Sequence, residues 1–204
     1  YPVPDGVDLE IGGTVEDQGD AFSDLGVLFI LIVILVYIVM ATQFESLKFP
    51  FIIMFTIPFA FTGVFLALWM TSTPLSLIAL IGAIMLVGIV TKNGIVMVDY
   101  MNLLIERGSG VFDAVIAGGK SRLRPVLMTS FTTILGMLPL AIGTGAGSET
   151  WQPMGIAVIG GLTFSTILTL FIVPVLYSIL VNRSQRKERE KLARLSAEHQ
   201  ASKH

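Results

Sequence analysis

Residues 76–100 read SLIALIGAIMLVGIVTKNGIVMVDY, an apolar run whose only charges are Lys92 and Asp99. About twenty such residues cross a bilayer as a helix, so this stretch predicts a membrane span with a cation set deep inside it. A lysine at helix centre costs roughly 2.5–3.5 kcal/mol on insertion scales, and such residues mark functional sites by default. Lys92 lies about ten residues, or about 15 Å, from the nearer end of the span, beyond the reach of a snorkelling stem. It must be paired, hydrated in a polar cavity, or neutral. Asp99 is about 10 Å further along the axis, too far for a direct contact, so the expected carboxylate partner lies outside this chain.

Four more runs, on either side of this one, have the same character. The predicted spans are 25–41, 49–70, 75–101, 125–142 and 154–181, with Pro125 at a helix-starting position and Pro58, Pro139 and Pro174 at expected kinks. The composition agrees: 53% of the 204 residues are hydrophobic and only 14% charged, against about a quarter charged in soluble domains. Mean hydropathy is +0.80. With no cysteine there is neither a disulfide framework nor a thiolate metal site. The first run could pass for the core of a signal peptide, but Asp17, Asp20 and Asp24 precede it where basic residues belong.

The net charge of −2 says little, but its distribution says much. Lys92 apart, the Lys and Arg residues fall on one side: Lys48, then Arg107, Lys120, Arg122 and Arg124, then a cluster after Val181. The other side carries Asp5, Asp8, Glu10, Glu16, Asp17, Asp20, Asp24 and Glu149, with no Lys or Arg. The positive-inside rule makes the tail cytoplasmic and the N-terminal end external, as an odd number of spans requires. Trp69 and Trp151 then both fall at the outer interface.

The flanks carry less. Val7, Leu9 and Ile11 alternate with Asp8, Glu10 and Gly12, which predicts a strand. Val111, Phe112, Val115 and Ile116 predict a short amphipathic helix on the cytoplasmic membrane surface between spans three and four. The tail SQRKEREKLARLSAEHQASKH (184–204) reads as a solvated extension whose bases anchor the topology. Gly82, Gly88, Gly94, Gly160 and Gly161 are expected to permit close helix packing. The glycine-rich TGAGS (144–148) lacks a Walker lysine and is not a phosphate loop. No nucleophile–base pair or metal-ligand spacing appears, so an enzyme is not expected, nor is a resident metal or cofactor. Nothing points to a nucleic-acid partner. No internal repeat is visible.

GIVTKNGIVMVDY (88–100) and KSRLRPVLMTSFTTILGMLPLAIGTGAGS (120–148) resemble the closing membrane helices of resistance–nodulation–division (RND) transporters. YIVMATQFESLKFPFIIMFTIPFAFTG (37–63) and MGIAVIGGLTFSTILTLFIVPVLY (154–177) extend the resemblance over nearly the whole chain up to the tail. It implies an all-α membrane protein, helices eight to twelve of a twelve-helix protomer, preceded by a short β segment of a periplasmic porter domain. The implied domains are 1–22 (end of the porter domain), 23–182 (the five-helix membrane domain) and 183–204 (the charged cytoplasmic tail). The chain would be the C-terminal piece of something longer.

The resemblance also implies a function. Such pumps carry two adjacent aspartates on a helix of the first half, facing a lysine of the tenth helix that Lys92 matches. Thr129 matches a relay threonine, and Arg122 an arginine at the cytoplasmic entrance. Asn93 and Asp99 are expected to support these groups, Asn93 through a bond across helices. Read from the residues alone, Thr129 is as simply a threonine bonded to its own backbone, and Arg122 and Arg124 are positive-inside anchors. Thr129 lies about five residues past Arg124, some 7–8 Å into the membrane, which suits a proton exit. A carboxylate beside a cation stays ionised, and protonating it releases the cation, so the cluster is a two-position device driven by the proton gradient. The Lys92-Asn93 pair resembles the branch exporting hydrophobic and amphiphilic compounds, and the metal-exporting branch departs from Lys-Asn here. The scattered methionines do not suggest copper or silver. The implied partners are the N-terminal half, a homotrimer, a periplasmic adaptor, an outer-membrane channel and the lipid bilayer, in the bacterial inner membrane. The alternatives are an RND-related protein-export auxiliary and a non-transporting assembly module.

Overall fold

The structure, a computed structural model, describes the backbone at residues 14–143, 145 and 147–201, and the side chains of 17–143, 145 and 147–183. Six helices follow one another: α1 (Thr14–Gln43), α2 (Lys48–Met54), α3 (Ile57–Met70), α4 (Leu77–Glu106), α5 (Val111–Ile142) and α6 (Ser148–Ala201). The strand expected at 7–12 lies outside the described residues. Five segments are long and apolar enough to cross a membrane: Asp17–Gln43, Lys48–Met70, Leu77–Glu106, Val111–Ile142 and Ser148–Arg183. Each of the five expected runs corresponds to one of them.

The second crossing is α2 and α3 together, broken at Phe55 and Thr56. The cause is Pro58, which has no N–H to continue the ladder. Thr56 caps the interruption: its backbone N–H and its hydroxyl both donate to the Ile53 carbonyl, at 3.0 and 2.6 Å. Pro139 and Pro174, by contrast, sit inside helices that continue through them. Ser76 starts α4 by accepting the Ala79 N–H on its hydroxyl oxygen at 3.2 Å. Gly143 ends α5 in the left-handed region (φ 71°, ψ 49°), where a side chain would be strained.

One expectation fails here. The short surface helix between the third and fourth spans does not exist as a separate element. Val111–Ile142 is a single helix that passes through Pro125 without starting there. Its first turns stand against the end of α4, with Ala114 fully buried and Gly118 so close to Met101 that a methyl group would meet that side chain at 2.6 Å. That packing holds the segment in line with the span, although Phe112 and Ile116 remain exposed.

α6 is the axis of the bundle and packs against α3, α4 and α5. Glycines set these approaches. At Gly160 a Cβ would lie 2.9 Å from the Gly63 carbonyl, and at Gly155 2.8 Å from the Ala141 amide. Gly82, Gly94 and Gly161 likewise abut Met154, Ile53 and Leu86. Gly88 departs from the expectation, since nothing lies within 4 Å of where its Cβ would be. The buried apolar side chains form two cores. One gathers Ala60, Val64, Ala83, Leu86, Val90 and Leu162; the other gathers Met40, Ile53, Met97, Met101, Val173 and Tyr177.

Candidate functional site

Lys92 sits midway along α4 and is exposed. It belongs to a stripe of α4 residues left uncovered among the described residues: Ile81, Met85, Gly88, Lys92, Asp99 and Leu103 are all exposed. Their spacings of three, four and seven place them on one helical face. The α1 helix borders the stripe, and between the two lies a cavity of about 280 Å³ lined by Leu35, Val36, Val39 and Met40 opposite Gly88, Thr91 and Lys92. Lys92 is the charged member of that lining. No described residue pairs with it: no carboxylate lies within 4.0 Å among the described side chains, as its isolation in the sequence leads one to expect.

The other expected site residues divide. Asn93 is buried, turned about 100° from Lys92 around the helix. Its amide has no hydrogen-bond partner among the described residues. Asp99 is exposed and lines a polar cavity of about 290 Å³ with Gln43, Glu45, Asn102 and Glu106. Thr129 is exposed on α5, and its hydroxyl donates to its own helix, to the Val126 carbonyl at 3.0 Å. Arg122 lays its guanidinium over the Tyr100 ring, 4.5 Å from the centroid, which ties the start of the fourth span to the end of the third. Its buried Nε has no partner among the described residues. Lys92, Thr129, Arg122, Asn93 and Asp99 make no hydrogen bond to one another among the described residues.

A polar layer was not anticipated. The buried serine, threonine and asparagine side chains among the described residues are Thr56, Thr91, Asn93, Ser130, Ser165, Thr166 and Thr169. Their depth follows from helix register. Leu86 abuts Gly161, and the Tyr177 hydroxyl donates to Asn102, the same offset of 75 residues at two well-separated points. Thr166 is therefore level with Thr91, Thr169 with Gly94, and Ser165 with Val90. Ser130 joins them through its 2.9 Å hydroxyl contact with Thr166. Thr56 lies between Ile53, which abuts Gly94, and Gly63, which abuts Gly160 and Gly161. All seven thus occupy a slab about 6 Å thick at the level of Lys92, between the two apolar cores. The signal was in the sequence as Ser and Thr in membrane helices, but their common depth required the register.

The charge pattern is also laid out in space. The described Lys and Arg side chains other than Lys92 gather at the end where α1 meets α2 and α4 meets α5, and Asp17, Asp20, Asp24 and Glu149 at the opposite end. Bundle, layer and open cationic stripe define a multi-pass helical membrane protein whose third crossing carries an intramembrane cation on an uncovered face.

Comparison with known proteins places it further. The family described as AcrB/AcrD/AcrF matches residues 2–181, and the chain belongs to that family of RND transporters. It is 38% identical over 185 residues to the swarming motility protein SwrC of Bacillus subtilis, covering 90% of this chain and 18% of that protein. It is 39% identical over 186 residues to the cobalt-zinc-cadmium resistance protein CzcA of Cupriavidus metallidurans, covering 91% and 18%. To the multidrug resistance protein MdtC of Erwinia tasmaniensis it is 43% identical over 155 residues, covering 76% and 15%. A solved heavy-metal efflux pump superposes with a TM-score of 0.73 at 30% identity, over 87% of this chain and 18% of that one. The chain thus spans less than a fifth of the length of each.

Proposed function

We propose that this chain is the C-terminal membrane portion of a proton-driven efflux pump, helices eight to twelve of its protomer, exporting hydrophobic or amphiphilic compounds. The observation that carries the reading is Lys92, at mid-depth on the stripe of α4 that the described residues leave open. An ammonium facing lipid there is unfavourable by several kcal/mol on most scales, roughly 3 or more, so a carboxylate-bearing helix from elsewhere in the pump must cover it. Those acids remain ionised beside Lys92 and release it when protonated, which biases the bundle between two packings.

Within this reading Thr129 and Asp99 are polar stations on the way to the cytoplasm, Arg122 stands at the entrance and Asn93 supports Lys92. The basic end is cytoplasmic and the acidic end periplasmic, in the inner membrane. The pump works as a homotrimer with a periplasmic adaptor and an outer-membrane channel.

A second reading, export of metal cations, is favoured by CzcA and by the solved heavy-metal pump. The Lys92-Asn93 pair favours the first reading, because it resembles the branch that exports hydrophobic and amphiphilic compounds. Lys92→Ala in the complete pump tests the main reading. Amphiphile export, followed as dye efflux from cells, should be abolished while membrane abundance and assembly stay at parental levels. Normal efflux by that variant would sink the proton-coupled reading. Metal resistance conferred by the parental pump without dye efflux would favour the second.

A further inference from the structure

Thr169 is the buried hydroxyl of the polar layer that lacks a partner. It is 2% exposed, and its Oγ1 makes no hydrogen bond among the described residues. Membrane-helix threonines ordinarily donate to a carbonyl one turn back. Thr91 does so to Val87 at 2.8 Å and Thr163 to Ile159 at 2.7 Å. Thr169 does not. The register sets it level with Gly94, so the neighbouring Asn93, also buried and without a side-chain partner, lies at nearly the same depth on the adjoining helix. Gly94 adds no side chain beside them. An unsatisfied hydroxyl buried in a membrane interior is unfavourable, and such a group persists where another arrangement satisfies it.

Asn93 also follows Lys92 directly. A turn of α4 that swings Lys92 toward or away from its partner must rotate Asn93 through the same angle within the layer. We propose that Thr169 is a positioning residue for Lys92: its hydroxyl pairs with the Asn93 amide in the second position of α4 and so sets the balance between the two positions. This rests on the proton-coupled reading above.

The test uses the complete pump and compares Thr169→Val, Thr169→Ser, Asn93→Ala and the Thr169→Val/Asn93→Ala double variant, with Lys92→Ala as control. Valine matches threonine in shape and is more apolar, so insertion is not at risk. Thr169→Val should lower the efflux rate by about tenfold at parental abundance, the scale on which contacting polar pairs couple. Thr169→Ser should stay within about twofold, and the double variant should be no worse than the poorer single. Parental efflux by Thr169→Val overturns the proposal. So does a serine variant as poor as valine, which would mean packing, or losses that multiply in the double variant, which would mean separate partners. Failure of Thr169→Val to accumulate would assign the hydroxyl to folding and overturn it too. Normal efflux by Lys92→Ala would instead remove the proton-coupled reading on which the proposal stands.

Discussion

One side of α4, from Ala79 through Ala83, Leu86, Val90 and Met97 to Met101, is buried against α2, α3 and α6. The other, from Ile81 through Met85, Gly88 and Lys92 to Asp99 and Leu103, is open. Apart from the two charges, both sides draw on the same small and aliphatic residues. Lipid tails are as apolar as leucine, so apolarity does not decide which side is buried; close backbone approach does. The buried side is approached closely at its own Gly82 and Gly94 and by Gly161 of α6, whereas nothing lies within 4 Å of where a Cβ of Gly88 would be on the open side. The largest effect should come from disturbing the first. In Gly161→Val a Cβ would stand 2.2 Å from Leu86 Cδ2, 2.7 Å from Val64 Cγ2 and 3.1 Å from the Ala60 carbonyl. Leu86 and Val64 are fully buried and have nowhere to go. Overpacking of this kind costs about 1–3 kcal/mol or more, and here three helices meet. Limited proteolysis in membranes should show α3, α4 and α6 coming apart and their connecting turns cut faster; cleavage as slow as in the parent would mean the glycine is not what sets that side.

The same enlargement on the open side separates folding from transport. Gly88→Leu puts a side chain into the open cavity between α4 and α1, where nothing lies within 4 Å of its Cβ, so the stability of these helices should change by less than about 0.5 kcal/mol. Gly88 stands one turn from Lys92, however, on the stripe that the proposed carboxylate-bearing helix would cover in the complete pump. Efflux should therefore fall severalfold while thermal stability of the detergent-solubilised protein stays unchanged. Efflux and stability both at parental values would show the stripe facing lipid, and a loss of both would show that Gly88 packs within this bundle after all.

Much of this was legible from residue order. The five crossings and the two charged ends follow from run length and the positions of Lys and Arg. Lys92 declared itself because a lone charge in hydrocarbon needs a reason. Three features were not legible, each for a physical cause. The continuity of α5 was hidden because Lys120, Arg122 and Arg124 precede Pro125, and hydropathy marks where lipid ends, not where a helix ends. The open face of α4 was hidden because a span that is apolar all round carries no signal for its buried side. The partner of Asn93 was hidden because residue type announces a need for a partner and does not say which arrangement of the helices supplies one.

The polar layer gives the smallest and most local effect. Ser130 of α5 and Thr166 of α6 share a buried 2.9 Å hydrogen bond between the two hydroxyls, the link that brings α5 into the layer. Ser130→Ala removes one partner with little change in volume. Bonds of this kind between membrane helices average about 0.6 kcal/mol, because the separated helices also find partners for their hydroxyls. Thr166 has a further outlet, since its hydroxyl can turn to a carbonyl of its own helix. The unfolding midpoint in detergent should thus drop by only a small amount, equivalent to about 0.6 kcal/mol. The packing of α5 on α6 also rests on Gly155 against Ala141 and on the Gln152 amide donating to the Ala141 carbonyl at 3.1 Å. Those lie a membrane leaflet away from Ser130, so the two effects should add. A Ser130→Ala, Gln152→Ala double variant that costs much more than the sum would mean that the layer and the outer end of α5 unzip together, and the layer would no longer be an independent plane between two cores.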